Sequence, residues 1–286
     1  MIERLAKPQY LFRPRQIIRR FFAGDVVRTP WCEMRVADDM IGRGIARMGV
    51  HELAVSEVIW RLSEGDDLAL DIGANIGYFT GLLARRVGEV IALEPNPLLW
   101  PILAQNVGRW DRNIRLEPWA ASDSKGLATL YLPPDEYHEN QGTATLVVQP
   151  DATSYEVRTV RIADLIGGRS VGVMKIDIEG HEYPALAGAP LEAIRDIVFE
   201  DEAQIPSPVF AKLEAAGFTI RGIAQRLMCA QLVEPDSPQH SWDAPTYLAT
   251  RDIARAERLM SKRGWQCLRP ASSIGPEQGG RLQEDR

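Results

Sequence analysis

Leu68-Ala69-Leu70-Asp71-Ile72-Gly73-Ala74-Asn75-Ile76-Gly77-Tyr78-Phe79-Thr80 decides how the rest of the chain is read. An apolar run ends in an acid, a turn with two glycines follows, and Tyr78 can open a helix. A buried strand that delivers the chain to a tight turn and then a helix is the floor of a nucleotide site in an open α/β sheet. Gly73 and Gly77 lack Cβ atoms, so the backbone can turn sharply and be approached closely. The helix start offers unpaired N–H groups and a partial positive charge.

Outward from this stretch the chain repeats the same unit. Val90–Leu93 reads as the next strand and ends at Glu94-Pro95-Asn96-Pro97, with Pro97 placed to sit in the first turn of a helix over 98–107. Ile114–Leu116 begins a third strand, and Val171–Ile176 is a strand buried on both faces that ends at Asp177. Between them, 128–132, 143–148 and 157–161 are β-type runs separated by Pro133-Pro134 and Asn140-Gln141-Gly142, which predicts antiparallel strands or a hairpin inserted over the sheet. Ile194–Phe199, Phe218–Ile223 and Thr246–Thr250 read as the last strands, with helices over 208–216 and 253–262. Upstream, residues 1–30 are weakly patterned, 31–36 can form a short strand, Asp38 or Asp39 can cap a helix ended by Gly49, and 51–62 has helical spacing.

The bulk properties narrow the classes. The 286 residues are 45% hydrophobic and 25% charged, which suits a globular chain with a core of its own. A net charge of −6 argues against nucleic acid as a partner. Cys32, Cys229 and Cys267 are odd in number and far apart, so neither a disulfide framework nor a metal spacing is expected, and the cytoplasm is the expected compartment. No stretch reads as a secretory signal or a transmembrane segment. Arg4, Lys7, Arg13, Arg15, Arg19 and Arg20 make a basic N-terminal segment, read as a solvated arm or cap, with peripheral membrane contact as the alternative. The tail over 270–286 is expected to be disordered.

Three strand ends carry an acid: Asp71, Glu94 and Asp177. Glu94 lies 17 residues beyond Gly77, where an acid can accept from both hydroxyls of a ribose. That makes the ligand a nucleoside and leaves NAD and S-adenosylmethionine open. The dinucleotide fingerprint has a middle glycine for close approach to a pyrophosphate. Here Asn75 stands in that place, which crowds a pyrophosphate and is tolerable beside a smaller amino-acid moiety. The acid at Asp71 also suits an ammonium better than a phosphate. Both points favour S-adenosylmethionine over an NAD(P)-dependent oxidoreductase.

Asp71-Ile72-Gly73-Ala74-Asn75-Ile76-Gly77-Tyr78, then Glu94-Pro95-Asn96, Ala120-Ala121-Ser122-Asp123 and Lys175-Ile176-Asp177-Ile178-Glu179-Gly180-His181-Glu182 together resemble the FkbM family of S-adenosylmethionine-dependent methyltransferases. Thr159 to Asp164 and the Leu186-x-Gly188-Ala189 element extend the resemblance, which runs from about Gly49 to Glu200. It implies an α/β class I methyltransferase (Rossmann-like) fold: a seven-stranded, mostly parallel sheet with one antiparallel strand near the end, helices on both faces and the inserted β-hairpin. Residues 1–64 are then an N-terminal helical extension or cap, 65–252 the methyltransferase domain, and 253–286 a C-terminal helix and tail. By the resemblance Asp71, Gly73, Asn75 and Gly77 hold the methionine part of the cofactor and Glu94 the ribose. Ala121 and Asp123 lie at the adenine edge, although Asp123 can equally be a turn former.

Methyl transfer needs the acceptor aligned with the methyl carbon, and a hydroxyl acceptor is helped by a base. Asp177, Glu179 and His181 are the candidates for that role. His181 titrates nearest neutrality, but a lone histidine in a turn is more often structural. Asp177 can instead contact the cofactor, and Glu179 or Glu182 can cap the next helix. A divalent metal on Asp177, Glu179 and Glu200 is the minority reading, so no metal is expected. Tyr131, Tyr137, His138, Glu139, Asn140 and Gln141 of the insert suit a sugar-like substrate, or form a surface hairpin that touches none. The expected activity is O-methylation of a sugar, glycolipid or other natural product, with a small-molecule or glycan acceptor as partner. A non-catalytic carbohydrate-binding protein of the same fold is a further alternative, and self-association into a homo-oligomer is compatible with the sequence.

Overall fold

The computed structural model describes residues 26–65, 67–110, 112–132, 141–203, 207–237 and 245–269. The basic N-terminal segment, Tyr137 to Asn140 of the insert and the tail over 270–286 lie outside the described residues.

The strands named by their apolar runs form one large sheet. β1 (Val26–Arg28) and β2 (Glu33–Arg35) make a separate small hairpin. α1 (Met40–Met48) follows, capped by the Asp39 carboxylate, which accepts from the Gly42 N–H at 2.7 Å. α2 (Leu53–Leu62) leads into β3 (Leu68–Ile72), α3 (Tyr78–Ala84), β4 (Glu89–Leu93), α4 (Trp100–Val107) and β5 (Ile114–Glu117). β6 (Trp119–Ala121), β7 (Gly126–Leu132) and β8 (Thr153–Val160) form a three-stranded second sheet. α5 (Ile162–Ile166), β9 (Val171–Ile176), α6 (Glu182–Ala187), β10 (Ile194–Glu200) and α7 (Pro208–Ala215) return to the main sheet. β11 (Thr219–Gln225), β12 (Ala230–Val233), β13 (Thr246–Thr250) and α8 (Ile253–Met260) complete it.

The main sheet runs β12-β11-β13-β10-β9-β3-β4-β5. β5, β4, β3, β9 and β10 are mutually parallel, β13 lies antiparallel to β10, and β11 and β12 each reverse again. The chain leaves β3 towards β4 and β5, then crosses back to β9 on the other side. The strand order therefore switches at β3 and β9, where open sheets bind ligands. β3 divides its side chains by alternation. Leu68, Leu70 and Ile72 join one core with α5, α6 and α7, while Ala69 joins the other with α2, α3 and α8.

Four features differ from the sequence expectation. The sheet has eight strands, not seven, because Ala230–Val233 adds an antiparallel edge to β11. That strand has only four residues, and its turn, Arg226 to Cys229, contains no Gly, Pro, Asn or Asp to announce it. Residues 143–148 are not a strand, since one isolated bridge joins Tyr131 and Thr145 after a 3-10 turn at Gln141–Thr143. The Thr145 hydroxyl donates to the Glu179 carbonyl at 2.6 Å and accepts from the Val147 N–H at 3.0 Å, so local side-chain bonds replace a ladder. α4 starts at Trp100, with Pro101 rather than Pro97 in its first turn. Asn96 accounts for the delay, because its Oδ1 accepts from the Leu98 N–H and holds a turn first. Finally, Val26–Arg28 forms a strand that nothing in residues 1–30 signalled.

α2 is buried along its whole length, charges included. Arg61 Nε donates to Glu57 at 2.5 Å, and both side chains are excluded from water. Glu57 also accepts the backbone N–H groups of Gln266 and Cys267 at 2.8 Å each. Arg61 donates to the carbonyls of Leu259 and Gly264. This buried pair is thus the anchor of the segment after α8. Removing one partner strands the other without water. Glu57→Ala is expected to cost about 3–5 kcal/mol in urea denaturation, and a loss below about 1 kcal/mol, the value of an exposed pair, would contradict the anchoring role.

Candidate cofactor and acceptor site

The carboxyl ends of β3, β4, β9 and β10 open into one cavity of about 480 Å³. Its floor is the turn after β3. Gly73 has φ 88°, and a Cβ there would lie 2.0 Å from the Asp177 carbonyl oxygen, so the turn crosses the end of β9 only as glycine. Gly77 has φ 91° and begins α3, and a Cβ there would meet Leu103 at 3.0 Å and Trp110 at 3.3 Å. Both glycines are demanded by the protein's own packing. Gly73 lines the cavity and Gly77 does not.

Glu94 ties two loops together at this floor. It is 6% exposed, and its two oxygens accept from the Asn75 N–H and the Asn96 N–H at 2.8 Å each. Burial pushes its carboxyl up to about 7, against the pull of those two N–H groups. Asn75 is held left-handed at φ 51°, a conformation asparagine tolerates. Its Oδ1 is buried without a hydrogen-bond partner. A buried orphan acceptor on a cavity wall suits a donor arriving with a ligand.

Asp71 is fully buried and stands behind the floor rather than in the cavity. It accepts from the Thr80 hydroxyl at 2.5 Å, and burial pushes it up to about 6. Asp123 is exposed and outside the lining. It accepts from the Ser124 hydroxyl at 2.9 Å. Ala121 does line the cavity, beside Trp119 and Ala120.

The other end of the cavity is acidic. Lys175, the one charged residue in the apolar run of β9, donates to Asp177 Oδ2 at 2.8 Å and lies 4.8 Å above the Phe79 ring. Burial alone would lower its ammonium, but Asp177, Asp71 and Glu52 outweigh that and hold it above the usual lysine value. Glu179 and Glu200 also face the cavity. Burial, then neighbouring carboxylates, push Glu179 up to about 8 and Glu200 up to about 9. Glu182 does not cap α6, which has no side-chain cap; it lies in the first turn and its Oε1 accepts from the Ile178 N–H of the preceding loop at 2.9 Å. His181 lies at the Ala121 wall, with Nε2 3.1 Å from the Ser122 hydroxyl, and burial lowers its pKa. Among the described residues, no group of three or more His, Cys, Asp or Glu is placed to hold a metal ion.

The structure thus brings Gly73, Asn75, Glu94, Ala121, Asp177, Glu179 and His181 to one cavity and leaves Asp71, Gly77 and Asp123 off its wall. Sequence reasoning missed the roles of Lys175, His51 and Glu52. Lys175 was visible as a lone charge in a buried strand, whereas nothing local marks the turn at His51. Among the described residues of the insert, Leu130, Gly142, Thr143, Ala144 and Leu146 line the wall and Tyr131 does not, while Tyr137 to Asn140 lie outside the described residues. Among the described residues no helix is long and apolar enough to cross a membrane.

A search of curated proteins finds no match. Several solved structures are distantly similar. A precorrin-6y C5,15-methyltransferase from Geobacter metallireducens shares 14% identity, covering 76% of this chain and 93% of that one, with a TM-score of 0.44. Methyltransferase FkbM from Methylobacillus flagellatus shares 16% identity, with 74% of this chain and 56% of that one covered and a TM-score of 0.43. A putative methyltransferase from Streptococcus mutans, in complex with SAH, shares 7% identity over 68% of this chain and 94% of that one, with a TM-score of 0.41. The model of the methyltransferase FkbM domain matches residues 71–220, more than half of the chain. This span carries the glycine turn, Glu94 and the Asp177 loop, so the chain belongs to the FkbM methyltransferase family, with the class I methyltransferase fold.

Proposed function

We propose that the protein is an S-adenosylmethionine-dependent O-methyltransferase acting on a hydroxyl of a sugar, glycolipid or other natural product. The observation that carries this reading is a single cavity with a buried ribose-type acid, Glu94, at its floor and an acid-lined end beside it. S-adenosylmethionine supplies a methyl carbon bonded to a positively charged sulfur. The residues present fit such a cofactor: the Asn75 Oδ1 is an unused buried acceptor, and the acids at the β9 and β10 ends suit a cation.

In this reading Glu94 accepts from the ribose hydroxyls, and Trp119, Ala120 and Ala121 form the apolar wall for the adenine. Lys175 and Asp177 orient the charged amino-acid end. Glu179 takes the proton from the acceptor hydroxyl on its carboxylate. Its raised pKa makes it a stronger base than an ordinary glutamate once ionised, and a cation bound nearby favours that ionised form. Asp177, neutralised by Lys175 at 2.8 Å, is the weaker candidate. His181 serves the adenine end through Ser122.

Titration calorimetry tests the cofactor. S-adenosylhomocysteine is expected to bind and NADH to give no heat, and Glu94→Ala is expected to weaken binding by about 1–3 kcal/mol. NADH binding with no heat from S-adenosylhomocysteine would overturn the reading. Transfer of labelled methyl into a panel of hydroxylated acceptors tests the reaction, and transfer to none of them would favour the non-catalytic alternative. Because the ionised form of Glu179 is the base, kcat/KM is expected to rise as pH rises through about 8. Glu179→Gln is expected to remove that limb and slow turnover roughly 10²–10⁴-fold. A limb below 6.5 that survives Glu179→Gln and disappears in His181→Ala would assign the base to His181 instead.

A further inference from the structure

Among the described residues, four that are not glycine have left-handed backbones, and three of them, Glu52 (φ 41°), Asn75 and Glu179, line the cavity. Asparagine tolerates this conformation. Glutamate does so at a cost and only when its surroundings enforce it. For Glu52 the enforcing group is Tyr78, the residue directly after Gly77. The buried Tyr78 hydroxyl accepts from the His51 N–H at 2.8 Å and donates to the His51 carbonyl at 2.9 Å, with the Ser56 hydroxyl 3.0 Å away. The residue before Glu52 is therefore clamped, on both its backbone groups, to the helix that begins at the glycine turn.

Glu52 occupies the cap position of α2, yet its side chain makes no capping bond to that helix. Its Oε1 lies instead 3.2 Å from His51 Nε2, and the residue faces the cavity with Lys175 and Asp177. An acid held in a costly conformation and unused by its own helix is placed for something else.

We propose that Glu52 reads the charge of the cofactor, favouring the sulfonium S-adenosylmethionine over the neutral thioether S-adenosylhomocysteine, with Tyr78 as its positioning residue. This rests on the cavity being the S-adenosylmethionine site. The other acids at this end are less suited to the task. Asp177 is held directly by the Lys175 ammonium at 2.8 Å, a closer and more fully charged partner than the His51 ring 3.2 Å from Glu52. Glu179 is assigned to the acceptor's proton, and burial disfavours the ionised form of Glu200. Burial alone would raise Glu52, but His51 and Lys175 outweigh it and keep its carboxyl below the usual value, hence ionised. Substrate and product share the adenosine, the ammonium and the carboxylate and differ by the sulfonium charge. A carboxylate tuned to that charge grips the cofactor before transfer and loosens on it afterwards.

Titration calorimetry with S-adenosylmethionine, S-adenosylhomocysteine and sinefungin, which carries an amine in place of the sulfonium, separates the possibilities without any acceptor. The wild type is expected to bind the two cationic ligands more tightly than S-adenosylhomocysteine. Glu52→Gln is expected to weaken both cationic ligands roughly tenfold while leaving S-adenosylhomocysteine within about twofold. Tyr78→Phe, which keeps the ring and the carboxylate, is expected to move the same ratio in the same direction by less, and it stands in should Glu52→Gln fail to fold. Equal weakening of all three ligands, or an unchanged ratio in both variants, would overturn the proposal. A wild type that binds all three equally overturns it while leaving the cofactor reading intact, whereas a wild type that binds none overturns the cofactor reading itself.

Discussion

The turn after β3 can cross the end of β9 only because Gly73 has no side chain. A Cβ there would sit 2.0 Å from the Asp177 carbonyl, closer than any real contact allows. This approach sets the height of the floor over the sheet. It brings Asn75 within hydrogen-bonding reach of Glu94 and sets Asp177 at the cavity edge, paired with Lys175. The glycine at the other end of the turn has a similar origin, since Gly77 lets α3 begin against Leu103 and Trp110. Both glycines look like ligand-binding residues in the sequence, and both are first packing residues. The cavity is what such packing leaves open at the point where the strand order switches, the place where open sheets bind ligands.

The charge distribution follows from the same geometry. Parallel strands buried on both faces end at one edge, and an acid at each end has little water around it. Burial then works against ionisation and pushes Asp71, Glu94, Glu179 and Glu200 upwards in order from about 6 to about 9. One lysine, Lys175, offsets part of this, and it is itself held charged by the acids around it. Carboxyls clustered with so little water repel one another when ionised. A cationic ligand would relieve that repulsion and a pyrophosphate would add to it.

Much of this was legible in the sequence because the strands carry strong signals. The apolar runs at 68–72, 90–93 and 171–176 are bounded by acids and glycines, and all three are central parallel strands. Asn75 in place of a glycine argues from the sequence alone against a dinucleotide. What stayed hidden had no local signature. Ala230–Val233 is a four-residue edge strand with an unmarked turn, and within 143–148 the bonds of the Thr145 hydroxyl override the β propensity of the run. Glu52 lies 19 residues before Asp71, and the Tyr78 hydroxyl ties the turn before it to the helix that starts at the cavity floor. Long-range contacts of this sort are made by tertiary packing, so neither periodicity nor spacing reports them.

A crystal structure with S-adenosylhomocysteine bound tests the central claim most directly, because the account assigns each end of the cavity to a different part of the cofactor. The ribose hydroxyls are expected on Glu94, the adenine against Trp119 and Ala121, and the sulfur at the end bounded by Glu52 and Asp177. A ligand found in the reverse orientation, or outside the cavity altogether, would contradict it.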